Sequence, residues 1–335
     1  MQKEAKIIMV TGGAGYIGSA LTEALLEKGY QVKVLDRLFF GLDPVVNCLL
    51  NPKFEVIKED IRSAAPNLFE GVDSVLHLAA ISNDPACELD PDVTIGINYK
   101  GAMRTARLAK NAGVRRFVFA SSCSVYGSGE GSSLTEESTP RPISLYARTK
   151  LMAENDLLSL ADGNFSVTIL RNGTVYGLSR RMRFDLIVNL MALCAFKYKK
   201  IRVMGGGRQW RPNVHLSDVI AAFVKIIEAD DKKINGQILN VGSSEQNYKV
   251  VDIAYMVNNF FPEAEIEYVF SDLDRRNYNV NFDKIKRILG YSVTKTVGDG
   301  IQEIKEALLN GFVSDSTMTR TLDYYKHFIE VNKVL

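Results

Sequence analysis

Tyr146 and Lys150 stand four residues apart in Tyr146-Ala-Arg-Thr-Lys150. On a helix that spacing puts both side chains on one face. An ammonium beside a phenol favours the phenolate, so the pair points to proton removal from a hydroxyl. A free phenol titrates at ~10, and lowering it to near 7 takes roughly 4 kcal/mol of differential stabilisation. By itself the pair is common, and two surface side chains on a helix would look the same. A second constellation is Thr11-Gly-Gly-Ala-Gly-Tyr-Ile-Gly18, in which Gly12, Gly15 and Gly18 recur at every third position. Such a segment turns tightly, lets backbone N–H groups approach a pyrophosphate, and packs a helix close to a strand. The positive end of that helix then faces the phosphates. Asp36 follows 18 residues after Gly18. An acid there accepts hydrogen bonds from ribose hydroxyls and repels a 2′-phosphate, which favours NAD over NADP. Arg37 beside it could soften that repulsion. Asp60, with Ile61, could meet the adenine amino group or simply be a solvated acid at a strand end.

The elements that must position these groups alternate along the first half of the chain. Strands are expected at Ile7–Val10, Gln31–Leu35, Phe54–Ile57, Ser74–Leu78, Arg116–Ala120 and Ser166–Leu170. Helices are expected at Ser19–Lys28, Ile97–Asn111 and Leu145–Leu160, the first two stopped by Gly29 and Gly113. Strands alternating with helices imply right-handed crossovers and a parallel sheet. Further helices are expected at Val219–Glu228, Lys249–Asn259, Phe282–Leu289 and Asp299–Asn310. The 335 residues carry 41 Lys and Arg against 39 Asp and Glu, a net charge of +2. That balance argues against nucleic-acid binding as the main function. No apolar run is long enough to span a bilayer, and no signal peptide is evident at the N-terminus. The four cysteines and three histidines form no metal-ligand pattern, so no metal is expected and a reducing cytoplasmic location is.

Ser121-Ser-Cys-Ser-Val-Tyr-Gly127 follows the fifth strand, about twenty residues before Tyr146. With T-G-G-A-G-Y-I-G-S, Leu76-His-Leu-Ala-Ala80, Asn98, Y-x-x-x-K and Arg211-Pro-Asn-Val-His-Leu-Ser-Asp218, it resembles the extended short-chain dehydrogenase/reductases that epimerise and dehydrate nucleotide sugars. The resemblance spans about residues 6–310. It implies an α/β fold: a Rossmann-type doubly wound parallel sheet with a smaller mixed α/β C-terminal substrate lobe. Residues 1–170 would form the NAD-binding domain and 171–335 mainly the nucleotide-sugar lobe, with some chain returning to the first. It implies Ser122, Tyr146 and Lys150 as catalytic residues. Cofactor contacts would come from Gly12, Gly15, Tyr16, Ile17, Asp36, Asp60, Ile61, Leu78, Ala79, Ala80, Asn98, Tyr146 and Lys150. It also implies a homodimer built on the helices near 97–111 and 145–160.

The implied chemistry begins with oxidation of the sugar at C4, Tyr146 taking the hydroxyl proton. The 4,6-dehydratases of the family carry Asp-Glu after the catalytic Ser or Thr, where this chain has Cys123 and Ser124. Simple 4-epimerisation is therefore expected, with net 4-oxidation or 4-reduction as the alternative and a non-catalytic NAD-binding regulator as a third. The substrate would be a nucleotide-diphosphate sugar. Between 171 and 211 ten Lys or Arg face one acid, Asp185. This stretch suits a diphosphate, or is a solvated face. Substrate contacts are expected from Ser82, Ser122, Thr174, Arg183 and Arg211, with Arg275 and Arg276 undecided as a late phosphate contact. Thr174 stands where the family usually has asparagine. Trp210 either stacks on a base or fills the lobe interface, and His215 and Asp218 read as structural.

Overall fold

The computed structural model describes residues 6–128, 133–270 and 276–332. The six expected strands form as β1 (Ile7–Thr11), β2 (Gln31–Asp36), β3 (Phe54–Lys58), β4 (Val72–His77), β5 (Arg116–Ser122) and β6 (Ser166–Asn172). The second half adds strands that its sequence does not announce. These are β7 (Thr174–Tyr176), β8 (Lys200–Met204), β9 (Trp210–His215), β10 (Gln237–Val241), β11 (Asn247–Lys249) and β12 (Glu265–Val269). Two are only three residues long, too short to display a period.

Seven strands build one parallel sheet in the order β10-β6-β5-β4-β1-β2-β3. The chain runs from β1 outward to β3, then returns to β4 on the other side of β1. That reversal opens a crevice at the C-terminal ends of β1 and β4, where open α/β sheets bind ligands. β10 closes the sheet from the second half of the chain. The remaining strands form two small sheets, β11-β9-β7 and β12-β8. Apolar side chains cover both faces of the large sheet. On one, Leu21, Val34 and Val118 pack with Phe223 and Ile301; on the other, Phe117 and Val167 pack with Ala106 and Leu157. Parallel strands buried on both faces read as nearly unbroken apolar runs, which is why β4 and β5 were legible. No helix among the described residues is long and apolar enough to cross a membrane.

The helix carrying Tyr146 runs Leu145–Leu158 and starts at Ser144, whose hydroxyl accepts from the Ala147 N–H at 3.2 Å. Such a cap contributes about 1 kcal/mol. Tyr146, Lys150 and Glu154 follow at every fourth position, on the side facing the sheet. Glu154 is fully buried and pairs with Arg171 of β6, Nη2 to Oε2 at 2.6 Å. Ser121 of β5 also donates to Glu154. Arg171 donates to the Tyr126 hydroxyl at 3.0 Å, which donates to Asn240 of β10 at 2.8 Å. One buried network therefore joins the helix to three adjacent strands. Removing one partner of such a pair strands a buried charge. Glu154→Leu should cost about 3–5 kcal/mol in denaturant unfolding; a loss below about 1 kcal/mol would show that the pair does not hold the helix.

Candidate active site

One cleft lies over the C-terminal ends of β1, β2, β4, β5 and β6. It is lined by Gly12, Gly15, Tyr16, Ile17, Asp36, Asp60, Ile61, Leu78, Ala79 and Ala80 at one side and by Ser82, Ser122, Tyr146, Lys150, Thr174, Arg183 and Arg276 at the other. Each was anticipated from the sequence. Gly12 has φ +74°, and a Cβ on it would sit 2.7 Å from the Ala79 nitrogen. Glycine is needed there for the conformation and for the close approach of the β1 and β4 loops. Asp36 receives N–H bonds from Leu38 at 2.7 Å and Ala14 at 3.0 Å. Burial pushes its carboxyl up, and the two N–H bonds oppose this. Arg37 turns to Asp60 at 3.3 Å, and Arg62 bonds Asp60 from two nitrogens. Burial pushes Asp60 up, but Arg62 and Arg37 together hold it below the usual carboxylate range.

At the other side, Ser122 lies at the end of β5 and lines the cleft with Tyr146. Its oxygen also accepts from the Ser124 N–H at 3.1 Å. Lys150 donates to the Ala120 carbonyl at 2.8 Å, and its ammonium lies 5.8 Å from the Tyr146 ring centre. Burial pushes Lys150 down to about 8, with Cys87 and Glu154 opposing. Burial raises the Tyr146 hydroxyl well above the ordinary phenol value, and Asp84 and Cys87 add to this; Arg183 and Ser122 pull the other way without winning. The protein's own groups therefore keep Tyr146 protonated.

Two expected contacts, Asn98 and Arg211, fall elsewhere. Asn98 sits behind the cleft wall in a π-helical turn, Gly96–Gly101. Its side chain accepts from the Ile81 N–H at 2.8 Å and donates to the Ile81 carbonyl at 3.0 Å, so it positions the loop after β4. Arg211 does not line the cleft; it donates to the carbonyls of Trp210 and Arg276 and lies over Tyr278. Trp210 is also absent from the lining. Arg275 lies outside the described residues. The basic stretch is mostly matched by acids distant in sequence: Arg171 by Glu154, Arg180 by Glu23, Lys197 by Asp315, Lys199 by Glu263, and Lys200 and Arg202 by Glu267. His215 bonds Ser217 and Glu303, and Asp218 receives the N–H groups of Thr294 and Lys295, so both serve the fold. Cys123 is buried and donates to the Arg171 carbonyl at 3.2 Å, whereas Ser124 lines the cleft.

Several lining residues were missed. Phe39, Phe40, Thr321 and Tyr325 close the side near Asp36, and Ser124 and Asn172 the side near Tyr146; Arg181 and Asp84 also line the cleft, from the segments 180–183 and 82–85 that the sequence pointed to as substrate contacts. Thr321 and Tyr325 belong to a C-terminal helix, Thr321–Asn332, whose mixed sequence carries no motif. The sequence offered the segment 180–183 as a diphosphate or base contact without singling out Arg181 within it.

Residues 8–242 match the family model described as NAD dependent epimerase/dehydratase family. The chain belongs to this family. It is an NAD-dependent enzyme of the extended short-chain dehydrogenase/reductase type. It is 29% identical over 311 residues to an uncharacterized UDP-glucose epimerase of Bacillus subtilis (strain 168), covering 88% of this chain and 95% of that protein. UDP-glucuronic acid decarboxylase 1 of Danio rerio is 26% identical over 318 residues, covering 90% of this chain and 72% of that protein. Among solved structures, UDP-glucuronic acid 4-epimerase from Bacillus cereus, in complex with UDP-glucuronic acid and NAD, superposes with a TM-score of 0.81 at 28% identity, covering 91% and 99% of the two chains.

The cleft of this epimerase/dehydratase family member fits a dinucleotide. The Gly12 turn leaves no room for a side chain, and the Asp36 carboxylate stands at the end of β2. With Tyr146 raised by burial, the NAD-free protein should show no Tyr146 phenolate below pH 10. The difference between the ultraviolet pH titrations of the native protein and Tyr146→Phe measures this, and a Tyr146 step near pH 7 without NAD would contradict it.

Proposed function

We propose that this enzyme is a nucleotide-sugar 4-epimerase. The observation that carries the reading is that Ser122 and Tyr146 line the same cleft, where the two side chains after Ser122, Cys123 and Ser124, offer no acid. A 4,6-dehydration needs further acid–base groups for C5 and C6. The acid nearest Tyr146 in the cleft, Asp84, is held by Arg276 and by the Ser144 hydroxyl at 2.6 Å. Epimerisation at one carbon needs one proton acceptor and one hydride acceptor. In this reading Gly12, Gly15, Tyr16 and Ile17 hold the pyrophosphate of NAD, Asp36 its adenosine ribose, and Asp60 and Ile61 its adenine. Leu78, Ala79 and Ala80 form the facing wall.

Bound NAD supplies the hydride acceptor and, when oxidised, a positive charge. Ser122 orients the C4 hydroxyl of the sugar. Tyr146 takes its proton and later returns it. The Lys150 ammonium, fixed by the Ala120 carbonyl, favours the phenolate while Tyr146 carries negative charge. Ser124 Oγ and Asn172 Oδ1 are buried at the cleft and have no partner among the described residues, so sugar hydroxyls are suited to both. Ser82, Thr174, Arg183 and Arg276 line the remainder of this side. A UDP-linked hexose or hexuronate is the substrate supported by the relatives' names. A uronate brings a second reading: oxidation at C4 places its carboxylate β to a ketone, so loss of carbon dioxide competes with return of the hydride. We also propose that residues 1–170 serve mainly NAD and 171–335 mainly the nucleotide sugar, and that the chain forms a homodimer through the helices Ala102–Asn111 and Leu145–Leu158.

A panel of UDP-glucose, UDP-glucuronic acid and UDP-N-acetylglucosamine, followed by product NMR and absorbance at 340 nm, tests the activity. A C4 epimer without lasting NADH is expected. A pentose with carbon dioxide would make the enzyme a decarboxylase, and NADH in proportion to enzyme a dehydrogenase. Tyr146→Phe should retain NAD binding and lose about 10²-fold or more in turnover; near-native turnover would remove Tyr146 as the base.

A further inference from the structure

Arg181 is 5% exposed and lines the cleft beside Asp36, Phe39 and Phe40. It forms no ion pair among the described residues. Among the described residues its Nε has no partner, and its terminal nitrogens reach only the Thr321 hydroxyl at 3.2 Å and the Met182 carbonyl at 3.5 Å. A buried cation without a carboxylate is costly unless an anion completes it. Burial and the neighbouring Arg183 together push Arg181 down to about 10. Arg183 cannot serve equally, because Asp185 pairs with it at 2.6 Å.

The segment carrying Arg181 is fastened to the first turn of the helix Tyr16–Glu27. Ser179 donates to the Tyr16 carbonyl at 2.7 Å, and the Tyr16 hydroxyl donates to the Gly177 carbonyl at 2.8 Å. Two residues on, the Arg181 guanidinium lies 3.7 Å from the centre of the Phe40 ring. The C-terminal helix holds this arrangement from outside. Tyr324 donates to the Phe39 carbonyl, Phe39 stacks edge-on against Phe328 at 4.8 Å, and Phe40 meets Tyr324 at 4.7 Å. Leu38, in the left-handed region at φ +56°, turns the chain so that both phenylalanines face the helix.

We propose that Arg181 is a binding residue for the pyrophosphate of NAD, and that the C-terminal helix Thr321–Asn332 holds its guanidinium over the glycine-rich turn and slows release of the cofactor. The proposal rests on the assignment of this cleft to NAD. A diphosphate also belongs to the nucleotide sugar, so the test separates the two. Calorimetry on NAD-stripped protein should compare NAD, ADP-ribose, adenosine and UDP. A charged hydrogen-bond partner is lost in Arg181→Gln, so NAD and ADP-ribose should weaken about 10- to 100-fold, with adenosine and UDP unchanged. Arg181→Lys should recover part of the loss. Thr321→Val, which leaves the arginine in place, should speed NAD dissociation measured by displacement. Should Arg181→Gln not fold, those two variants decide the question. Weakened UDP with unchanged NAD would assign Arg181 to the substrate and overturn the proposal. Unchanged NAD binding and dissociation in all three variants, while Asp36→Ala weakens NAD, would overturn it but keep the cleft assignment. Unchanged NAD in Asp36→Ala as well would remove that assignment too.

Discussion

The site depends on a charge that the protein has buried. Glu154 is taken wholly out of water and survives there only because Arg171 meets it with three nitrogen–oxygen contacts and Ser121 adds a hydroxyl. Two turns earlier on the same helix face is Tyr146, and one turn earlier is Lys150. A shift of this helix would cost the pair its geometry, and the penalty of an uncompensated buried carboxylate makes such a shift expensive. The Lys150 ammonium is in turn the charge that Glu154 helps keep, against burial that lowers it to about 8. Through Tyr126 and Asn240 the same network reaches β10, so the second half of the chain braces the helix that carries Tyr146.

Much of this was legible in the sequence where a physical constraint acts locally. A glycine with positive φ, a buried parallel strand and two side chains at four-residue spacing each leave a local signature. Hence Gly12, the end of β4 and the Tyr146–Lys150 pair, each legible by itself, meet at one cleft. Asn98 shows the limit. Its residue type fitted a contact, but the π-helical turn aims it at the Ile81 backbone, and nothing in its neighbours encodes that widening.

Charge was the least legible quantity. The excess between 171 and 211 looked like a single basic surface. The fold disperses it, supplying Glu23, Glu263, Glu267 and Asp315 from distant segments. What remains at the cleft is specific: Arg183 matched by Asp185, Arg276 by Asp84, and Arg181 by no acid among the described residues. The C-terminal helix escaped notice for a related reason. Its aromatic residues find their partners at Phe39 and Phe40, almost 300 residues earlier. The raised Tyr146 hydroxyl follows from the same tertiary burial.

The central claim is that one carbon of the sugar gives up a hydride and takes the same hydride back on its other face. A nucleotide sugar carrying deuterium at C4 tests it most directly, with the product read by NMR after a partial reaction in ordinary water. The account predicts a C4 epimer that retains the deuterium at C4, formed more slowly than from unlabelled substrate. Deuterium lost to water, or an epimer carrying hydrogen at C4, would contradict it.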